Sequence, residues 1–322
     1  MFAVGIGCRT ALHLANMGAT VVMACRSVEK GDATRALLEK EIKCVLQESA
    51  DNGGPASAGV LGPARGGTLR VMKLDLADLE SVRAFAKEFK AKHTRLDVLV
   101  NNAGLGYSKV PTADGLDMVF GVNFVGHFAL SLELMPLIES TPQARVVCLA
   151  SVLHHFGGTH WEGAMAGHKG YINRDAYPDS KLAMVLFAKE LRRRFAASGS
   201  TATAFAVNPG AVRSDIWRST PSIIMPIYDA WMRMFFLNIE EGCRPSVCAS
   251  ALPLESLSGD DYYQPYWLPF GRNIPAEILG VYAGCAPAKP SLPKDEPAAS
   301  GALWTACENV LKTTAAARRE VR

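Results

Sequence analysis

Tyr177-Pro178-Asp179-Ser180-Lys181 is the stretch around which the chain is organised, and an apolar helical pattern follows it from Leu182 to Leu191. Residues four apart lie one above the other on a helix, so the Tyr177 hydroxyl and the Lys181 ammonium can reach one ligand together. A neighbouring ammonium favours the phenolate and lowers the pKa of a tyrosine from its ordinary value of about 10. The pair predicts an acid–base tyrosine tuned by a lysine, although the same spacing also occurs on solvated helix faces.

Polar side chains also stand where predicted strands end. Residues 144–150 form an apolar run that predicts a buried strand, and Ser151 follows it directly. Asn101-Asn102-Ala103-Gly104 closes the apolar strand predicted from Asp97 to Val100. Ligands of open parallel sheets bind just outside the carboxyl ends of the strands, so these segments are expected to face one site.

A further candidate is Asn123, which lies among apolar residues of a helix predicted from Leu116 to about Ser140. An asparagine on an apolar face must satisfy its amide group. From the residues alone, it can do so structurally or through a water that serves catalysis.

Together these motifs resemble the short-chain dehydrogenase/reductase superfamily, and residues 176–191 most resemble its retinol dehydrogenase-like branch. The resemblance covers Gly5 to about Tyr263 and implies a doubly wound parallel α/β sheet, the Rossmann fold, which the alternation of strands and helices also favours. It implies that Tyr177 exchanges the proton and that Ser151 hydrogen-bonds the carbonyl oxygen. It further implies that Lys181 holds the nicotinamide ribose and that Asn123 positions a proton-relay water.

The amino terminus begins with a glycine turn that leads into a helix. Gly5, Ile6 and Gly7 precede an apolar helical pattern, and the backbone amides at such a helix start can bind a pyrophosphate. Gly5 and Gly7 fit the last two glycines of the family's Thr-Gly-x-x-x-Gly-x-Gly motif, but the apolar strand that should precede the motif is missing from this sequence. We therefore expect either that Met1 is a misplaced start or that another segment, such as one after Gln264, takes the strand's position.

Arg26 and Ser27 follow the apolar run Ala19–Cys25, which predicts a fully buried parallel strand. An arginine at this position accommodates a 2′-phosphate, whereas an acidic residue would bind the ribose 2′-hydroxyl of NAD(H). Arg26 therefore favours NADP(H) as the cofactor. A surface arginine beside the next helix is the alternative, because Glu29 follows three residues later.

The resemblance assigns further cofactor contacts to turns at strand ends. These residues are Asp75 and Leu76, then Asn102, Ala103 and Gly104, then Pro209, Gly210, Val212 and Ser214, together with Tyr177 and Lys181. Asp75 can instead serve the start of the following helix, and the Pro209-Gly210 turn can be a plain strand-to-loop connection.

The domain organisation follows from length and local composition. Because 322 residues with 49% apolar composition can bury one large core, residues 1–263 are expected to form a single Rossmann-type dinucleotide-binding and catalytic domain. Residues 48–68 are rich in Gly, Ala, Pro and Ser and predict a flexible insertion. Residues 215–240 predict an aromatic-rich substrate lid, and residues 264–322 predict an extension of unknown role with a short helix from Leu303 to Ala317.

Composition also narrows the partners and the location. The net charge is +3 and no basic run is interleaved with aromatic residues, so no nucleic acid is expected. The eight scattered cysteines and the histidines between His154 and His168 lack the spacing of a ligand set, so no metal is expected. The sequence suggests neither a signal peptide nor an apolar run of about 20 residues that would span a bilayer, so we expect a cytoplasmic protein. The shorter apolar run Ser222–Leu237 leaves a peripheral membrane contact as an alternative.

These features predict an NADP(H)-dependent oxidoreductase that moves a hydride between nicotinamide and a carbonyl or alcohol carbon. The aromatic lid favours a bulky apolar substrate such as a lipid aldehyde, a retinoid or a steroid. The alternative is a cofactor-binding or scaffold protein of the same fold without turnover. The missing first strand favours that alternative, as does Ala150, where many relatives carry a second serine.

Overall fold

The structure, a computed structural model, describes residues 5–51, 65–159, 161–165, 173–212, 237–257, 261–265 and 285–320. Residues 52–64 of the predicted insertion and residues 213–236, which include most of the predicted lid and Ser214, lie outside the described residues. The chain divides into two compact units. The first comprises Met1–Leu74 and Asn208–Pro287, and the second comprises Asp75–Val207 and Ala288–Arg322. The predicted domain boundary at residue 263 stays a prediction.

The first unit begins with a β-α-β arrangement preceded by a helix. Its elements in chain order are α1 (Ile6–Asn16), β1 (Thr20–Cys25), α2 (Val28–Asp51) and β2 (Thr68–Lys73). The two strands are parallel, with Thr20 opposite Thr68 and Cys25 opposite Lys73. The apolar residues of both helices bury themselves against the strands in one cluster, which contains Ala11, Leu12, Ala15, Met23, Leu38, Ile42 and Leu69.

The burial of β1 differs from the prediction of a fully buried strand. Met23 is its one buried residue, while Val21 and Val22 are half-buried and Ala24 is exposed. Among the described strands, β1 pairs with β2 along one edge and with nothing along the other. A parallel strand becomes continuously buried when neighbours cover both of its edges and helices cover both faces, so a single partner leaves β1 partly open.

The rest of the first unit is built on α8 (Ile239–Ala251), which packs against α1. A capping box starts α8, because the Asn238 side chain accepts from the Glu241 amide while the Glu241 side chain accepts from the Asn238 amide. The short strands β6 (Tyr262–Gln264) and β7 (Ala286–Pro287) pair in antiparallel fashion.

The second unit contains three parallel strands with helices between them. The strands are β3 (Val98–Asn101), β4 (Arg145–Leu149) and β5 (Thr203–Val207), with β4 paired to both others. The helices before and between them are α3 (Leu79–Lys92), α4 (Met118–Phe120), α5 (Gly126–Ser140), α6 (Trp161–Met165) and α7 (Asn173–Ser198). A 3-10 helix, Val152–Phe156, follows β4. Helices following parallel strands in this order give the α/β Rossmann fold that was predicted.

A π-helical turn, Gly121–Val125, separates α4 from α5 and modifies the helix predicted from Leu116. The helix begins at Met118 because the Asp117 side chain accepts from the Phe120 amide at 2.8 Å and so caps its first turn. The π turn contains Asn123. Such turns are uncommon within helices and are often found at functional sites.

The combined helix Met118–Ser140 is also long and apolar enough to cross a bilayer, by length and composition, which the sequence analysis did not predict. In the structure, 78% of its apolar window is buried inside the protein. Phe124 and Phe128 on this helix contact Phe187 of α7, with ring centroids 5.9 Å and 5.4 Å apart. Such burial is that of a core helix.

The carboxyl-terminal helix, α9 (Glu296–Glu320), packs against α7 and is longer than the predicted helix Leu303–Ala317. Its anchor is Trp304, whose ring lies 5.0 Å from that of Phe128 and 3.8 Å from the guanidinium of Arg194. The helix starts at Glu296, where the carboxylate pairs with Arg193 at 3.0 Å. This long-range ion pair holds the first turn of α9, and the local sequence pattern did not predict it.

Candidate active site

Ser151 stands at the carboxyl end of β4, as predicted. The end of this strand is fixed to β5 by a hydrogen bond from the Ala150 amide to the Val207 carbonyl at 2.8 Å. Ser151 is the N-cap of the 3-10 helix, and its side chain accepts from the Leu153 amide at 3.3 Å. The serine therefore caps the short helix and places its hydroxyl at the carboxyl end of β4.

Tyr177 and Lys181 both lie on α7, with the Lys181 ammonium 5.7 Å from the centre of the Tyr177 ring. Lys181 is buried, and its Nζ donates to the Leu149 carbonyl of β4 at 2.9 Å. The Ser151 side chain lies close enough to the Tyr177 hydroxyl to lower the pKa of that tyrosine. The long helix and the strand end therefore bring all three predicted catalytic side chains together.

Asn123 is fully buried and uses its amide to hold the chain that follows β3. Its Oδ1 accepts from the Leu105 amide at 2.8 Å, and its Nδ2 donates to the Leu105 carbonyl at 3.0 Å. The same Nδ2 donates to the Ser180 hydroxyl at 3.1 Å. The structure therefore gives Asn123 a positioning role between this loop and α7, and the relay of water that the resemblance implies stays a prediction.

The turn Asn102-Ala103-Gly104 lies beside these residues. A β-carbon placed on Gly104 would stand 3.2 Å from Oδ1 of Asn123 and 3.5 Å from Nζ of Lys181. Because glycine has no side chain, the turn can lie directly against both groups. Oδ1 of Asn102 is buried and has no hydrogen-bond partner in the described part of the chain, so it is an acceptor that a ligand could satisfy.

Burial controls the electrostatics of the pair on α7. It lowers the pKa of Lys181 to about 8, so the ammonium is mostly charged at neutral pH. It also raises the pKa of Tyr177, and the nearby Ser151 side chain opposes this effect in part. The expectation that Lys181 lowers the pKa of Tyr177 is therefore not what this geometry produces, because loss of water around the phenolate outweighs the stabilising contacts.

The candidate cofactor residues of the first unit lie at the start of α1 and at the end of β1. Among the described residues, no side chain caps the N-terminus of α1 at Gly5, and no acidic residue lies in the first turn, which contains Ile6 and Gly7. Open amides at a helix start favour an anion. Arg26 is exposed directly after β1, and Ser27 accepts from the Lys30 amide at 3.3 Å.

Lys73 is a residue that the sequence analysis missed. It closes β2, and its Nζ donates to the Arg26 carbonyl at 2.5 Å, so a second cation stands beside Arg26. The signal available in the sequence is a lysine in the last position of a strand that pairs with β1. The parallel register of β1 and β2 is what makes that position relevant.

The turn after β5 belongs to the first unit. Gly210 has a φ of +78°, which favours glycine, and its amide donates to Oδ1 of Asn208 at 3.0 Å. Val212 forms a parallel bridge with Leu237. The Asn208 amide donates to the Tyr263 carbonyl at 2.8 Å, and Pro209 connects Asn208 to Gly210 in this turn. The contacts of Pro209, Gly210, Val212 and Ser214 with a cofactor stay predictions.

Asp75 and Leu76 follow β2 and belong to the second unit. Oδ1 of Asp75 accepts from the Ala77 amide at 3.0 Å, and the Asp75 amide donates to the Ser81 hydroxyl at 2.9 Å. The N-cap of α3 is Asp78, so Asp75 shapes the turn before the helix and does not cap it. Its contact with adenine remains an expectation.

His127 and Ser180 are two more residues that the sequence analysis did not select. His127 is buried on α5, and its Nε2 donates to the Ala103 carbonyl at 3.0 Å. Burial lowers its pKa to about 4, so the ring is neutral at physiological pH. Ser180 accepts from Asn123 and donates to the Tyr177 carbonyl at 2.8 Å. Both residues fix the backbone that carries the candidate catalytic groups.

One cluster of potential metal ligands occurs among the described residues, in the first unit. Donor atoms of His13, Glu240 and Cys243 lie within 4.8 Å of one another. The Glu240 carboxylate pairs with the His13 ring at 2.8 Å and also with the Arg9 guanidinium. A guanidinium at this position neutralises the carboxylate and would repel a divalent cation, so the cluster is an ion-pair network between α1 and α8.

Comparison with known proteins gives concordant matches. Residues 31–222 match the family model described as short chain dehydrogenase. Retinol dehydrogenase 11 of Mus musculus is 40% identical over 276 residues, which are 84% of this chain and 78% of that protein.

Solved structures are similar in fold. An uncharacterised protein from Mycobacterium paratuberculosis has a TM-score of 0.65 and 29% identity, with 97% of this chain and 95% of that chain covered. A protein described as a NAD(P)-dependent gluconate 5-dehydrogenase from Beutenbergia cavernae was solved with NADP bound at low occupancy. It has a TM-score of 0.52 and 23% identity over 77% of this chain and 85% of its own.

Proposed function

The chain belongs to the short-chain dehydrogenase family, and from this premise we propose that it is an NADP(H)-dependent enzyme acting on an apolar carbonyl or alcohol. As a member of the family it is an oxidoreductase of alcohol or carbonyl groups. The observation that carries the proposal is the convergence of Ser151, Tyr177 and Lys181 at the end of β4, where the Lys181 Nζ lies 2.9 Å from the Leu149 carbonyl and 5.7 Å from the centre of the Tyr177 ring.

In the reductive direction, the Tyr177 hydroxyl would give its proton to the oxygen of the substrate carbonyl as that oxygen becomes an alkoxide. The Ser151 hydroxyl would donate a hydrogen bond to the same oxygen and stabilise its growing negative charge. Because the Ser151 side chain is close enough to influence the Tyr177 hydroxyl, one substrate oxygen would reach both groups. In the oxidative direction the same groups act in reverse, and Tyr177 would take the proton from the substrate alcohol.

The residues of the chain fit a nicotinamide dinucleotide. In the first unit, the uncapped start of α1 suits a pyrophosphate, and Arg26 with Lys73 suits a 2′-phosphate. In the second unit, Oδ1 of Asn102 has no hydrogen-bond partner among the described residues and suits a polar group, while glycine at position 104 lets the turn lie close to Lys181. When bound, the cofactor supplies or accepts the hydride.

The preference for NADP(H) rests on charge at the end of β1. The exposed Arg26 can pair bidentately with a phosphate, and Lys73 adds a second positive charge next to it. A carboxylate in place of Arg26 would instead favour the free ribose hydroxyl of NAD(H). The NADP found in the gluconate 5-dehydrogenase structure is compatible with this preference.

An apolar substrate is supported by side chains that follow the two strand ends. Phe156 is 78% exposed, Val110 is 62% exposed and Val152 is 42% exposed, and all three lie within ten residues of Ser151 or Gly104 in sequence. Exposed apolar side chains beside a site commonly mark a surface that binds apolar partners. We include lipid aldehydes, retinoids and steroids, because the similar mouse protein is named for retinol.

For the location we propose a cytoplasmic enzyme that contacts membranes peripherally. Substrates of this class dissolve in membranes, and the exposed Phe156, Val110 and Val152 could meet a lipid surface. Co-sedimentation with liposomes tests the contact. If the protein stays in the supernatant at every lipid concentration, the proposed membrane contact is wrong.

The experiment that tests the function follows NADPH and NADH oxidation by the purified protein with a long-chain aldehyde, a retinaldehyde and a steroid ketone. We expect turnover with NADPH and a loss of more than about 100-fold in Tyr177→Phe, with NADPH affinity nearly unchanged. Tyr107→Phe is the matched control, because it deletes the same hydroxyl from a residue that is 53% exposed and outside the candidate catalytic groups.

Two results would contradict the proposal. A Tyr177→Phe variant that retained more than about a tenth of the rate, a barrier change below about 1.4 kcal/mol, would refute the role of Tyr177. Binding of NADPH without turnover over the whole panel would favour a cofactor-binding protein without catalysis.

A further inference from the structure

His154 links the catalytic strand end to the carboxyl-terminal part of the chain. It lies in the 3-10 helix three residues after Ser151 and is 1% exposed. Its Nδ1 is 2.7 Å from the Ser151 carbonyl oxygen, and its Nε2 is 3.2 Å from the backbone nitrogen of Ser291. Ser291 is 137 residues away in sequence and precedes α9 in the same unit.

The two partners fix the protonation of the ring. A carbonyl oxygen only accepts, so Nδ1 carries the hydrogen and donates to Ser151. A backbone amide only donates, so Nε2 is unprotonated and accepts from Ser291. His154 is therefore neutral and held in one tautomer. Burial lowers the pKa of His154 to about 4, which agrees with the neutral ring.

Both the carbonyl and the hydroxyl of Ser151 are therefore hydrogen-bonded to residues of this short helix. Its carbonyl accepts from the His154 ring and from the His154 amide at 3.0 Å, while its hydroxyl accepts from the Leu153 amide at 3.3 Å. The ring of His154 is in turn held by Ser291. The segment Ala288–Asp295 that contains Ser291 runs directly into α9, which is anchored on α7 by Trp304.

We propose that His154 is a positioning residue that transmits the docking of the carboxyl-terminal segment to the catalytic serine, an inference that rests on the function proposed for Ser151. Without the ring, the Ser151 carbonyl loses its shortest hydrogen bond, and the hydroxyl is free to shift relative to Tyr177. Displacement of a catalytic group by about 1 Å can cost about 100-fold in rate. The carboxyl-terminal segment thereby becomes a support of the active site.

The test compares variants that remove one hydrogen bond at a time. His154→Ala removes both and is expected to lower kcat by about 10- to 100-fold, while KM for NADPH changes less than about threefold. His154→Asn keeps a donor near the position of Nδ1 and is expected to restore most of kcat. His155→Ala is the control for loss of ring packing alone, because the exposed His155 ring lies 4.1 Å from the His154 ring and makes neither of the two hydrogen bonds under test.

The contact from the other end is tested at Ser291. Ser291→Pro removes the amide hydrogen that His154 accepts and is expected to lower kcat by about 3- to 10-fold. Ser291→Ala keeps that amide and is expected to behave as the unmutated protein. In the His154→Ala background, Ser291→Pro is expected to have no additional effect, because the two changes remove one linkage.

A readout independent of turnover is the tautomer itself. Long-range proton–nitrogen spectra of protein labelled on its histidines show which ring nitrogen of His154 carries hydrogen, with assignment from the His154→Ala spectrum. We expect hydrogen on Nδ1 alone, and a changed Nε2 resonance in Ser291→Pro but not in Ser291→Ala. Thermal melting identifies variants that have lost their fold.

The outcomes separate this inference from the proposed function. If the unmutated protein turns over substrate and His154→Ala, correctly folded, keeps kcat within about twofold, the positioning role is overturned while the function stands. An Nε2-protonated His154 would also overturn it. If the unmutated protein shows no turnover, the function falls and the catalytic part of this inference falls with it. The tautomer then still decides whether the linkage to Ser291 exists.

Discussion

Trp304→Ala should destabilise the second unit strongly, because this ring anchors α9 on α7. Trp304 is 4% exposed and packs against Phe128 and Phe187, with centroids 5.0 Å and 5.9 Å away. Truncating a buried tryptophan or phenylalanine typically costs about 3 to 5 kcal/mol in free energy of unfolding. The Arg194 guanidinium, 3.8 Å from the ring, adds about 0.5 to 1 kcal/mol because it is partly exposed.

The expected total is therefore about 3.5 to 6 kcal/mol, which is a large part of the roughly 5 to 15 kcal/mol by which an ordinary protein is stable against unfolding. The assay is urea denaturation followed by circular dichroism, with activity measured on the same samples. Trp304→Phe is the matched control, since it keeps an aromatic ring and loses mainly the hydrogen bond from Nε1 to Glu308 at 2.8 Å. Its cost should be about 1 to 2 kcal/mol.

Trp304→Ala should also lower turnover, because α7 carries Tyr177 and Lys181 and the adjoining segment holds His154. If the free energy of unfolding of Trp304→Ala lies within about 1 kcal/mol of that of the unmutated protein, this reasoning is refuted, because truncating a buried tryptophan costs several times more. Equal losses in Trp304→Phe and Trp304→Ala would refute the part assigned to ring packing.

Two further predictions concern the cofactor and the pH dependence. Arg26→Asp should reverse the preference from NADPH to NADH, and Lys73→Ala should lower kcat/KM for NADPH several-fold with little effect on NADH. The measurement is the ratio of the kcat/KM values for the two cofactors. Equal catalytic efficiency with both cofactors in the unmutated protein would contradict the assignment. Burial lowers the pKa of Lys181 to about 8, so the ammonium is charged below that pH and loses its proton above it. We therefore expect kcat/KM to fall as the pH rises through about 8. A flat pH profile of kcat/KM between pH 7 and 9 would exclude a role for that charge.

Several features of the candidate site could be predicted from the sequence because they depend on local geometry. The spacing of Tyr177 and Lys181 places both on one side of α7, and Ser151 ends a strand of the parallel sheet. The orientation of side chains on a helix and the position of a residue after a strand follow from backbone geometry alone. The apolar run 19–25 correctly indicated a strand, but its degree of burial was wrong because burial depends on neighbouring strands.

The electrostatic state of the site depended on contacts that spacing does not encode. The sequence predicted that Lys181 would lower the pKa of Tyr177, whereas burial of both side chains dominates in the folded protein. The position of the ammonium is set by the Leu149 carbonyl, which is 32 residues away in sequence. How much water surrounds a group is a property of packing and cannot be deduced from an i, i+4 relation.

The sequence by itself determined the α/β fold, the catalytic candidates and the cation at the end of β1, because periodicity and strand-end position act over a few residues. The tertiary structure alone decided that Lys73 stands beside Arg26, that Asn123 lies in a π turn and holds Leu105, and that Ser291 reaches His154. These contacts join residues from 18 to 137 positions apart. They form because packing of apolar faces, such as that of Trp304 on α7, brings together polar groups whose own sequence neighbourhoods give no sign of the pairing.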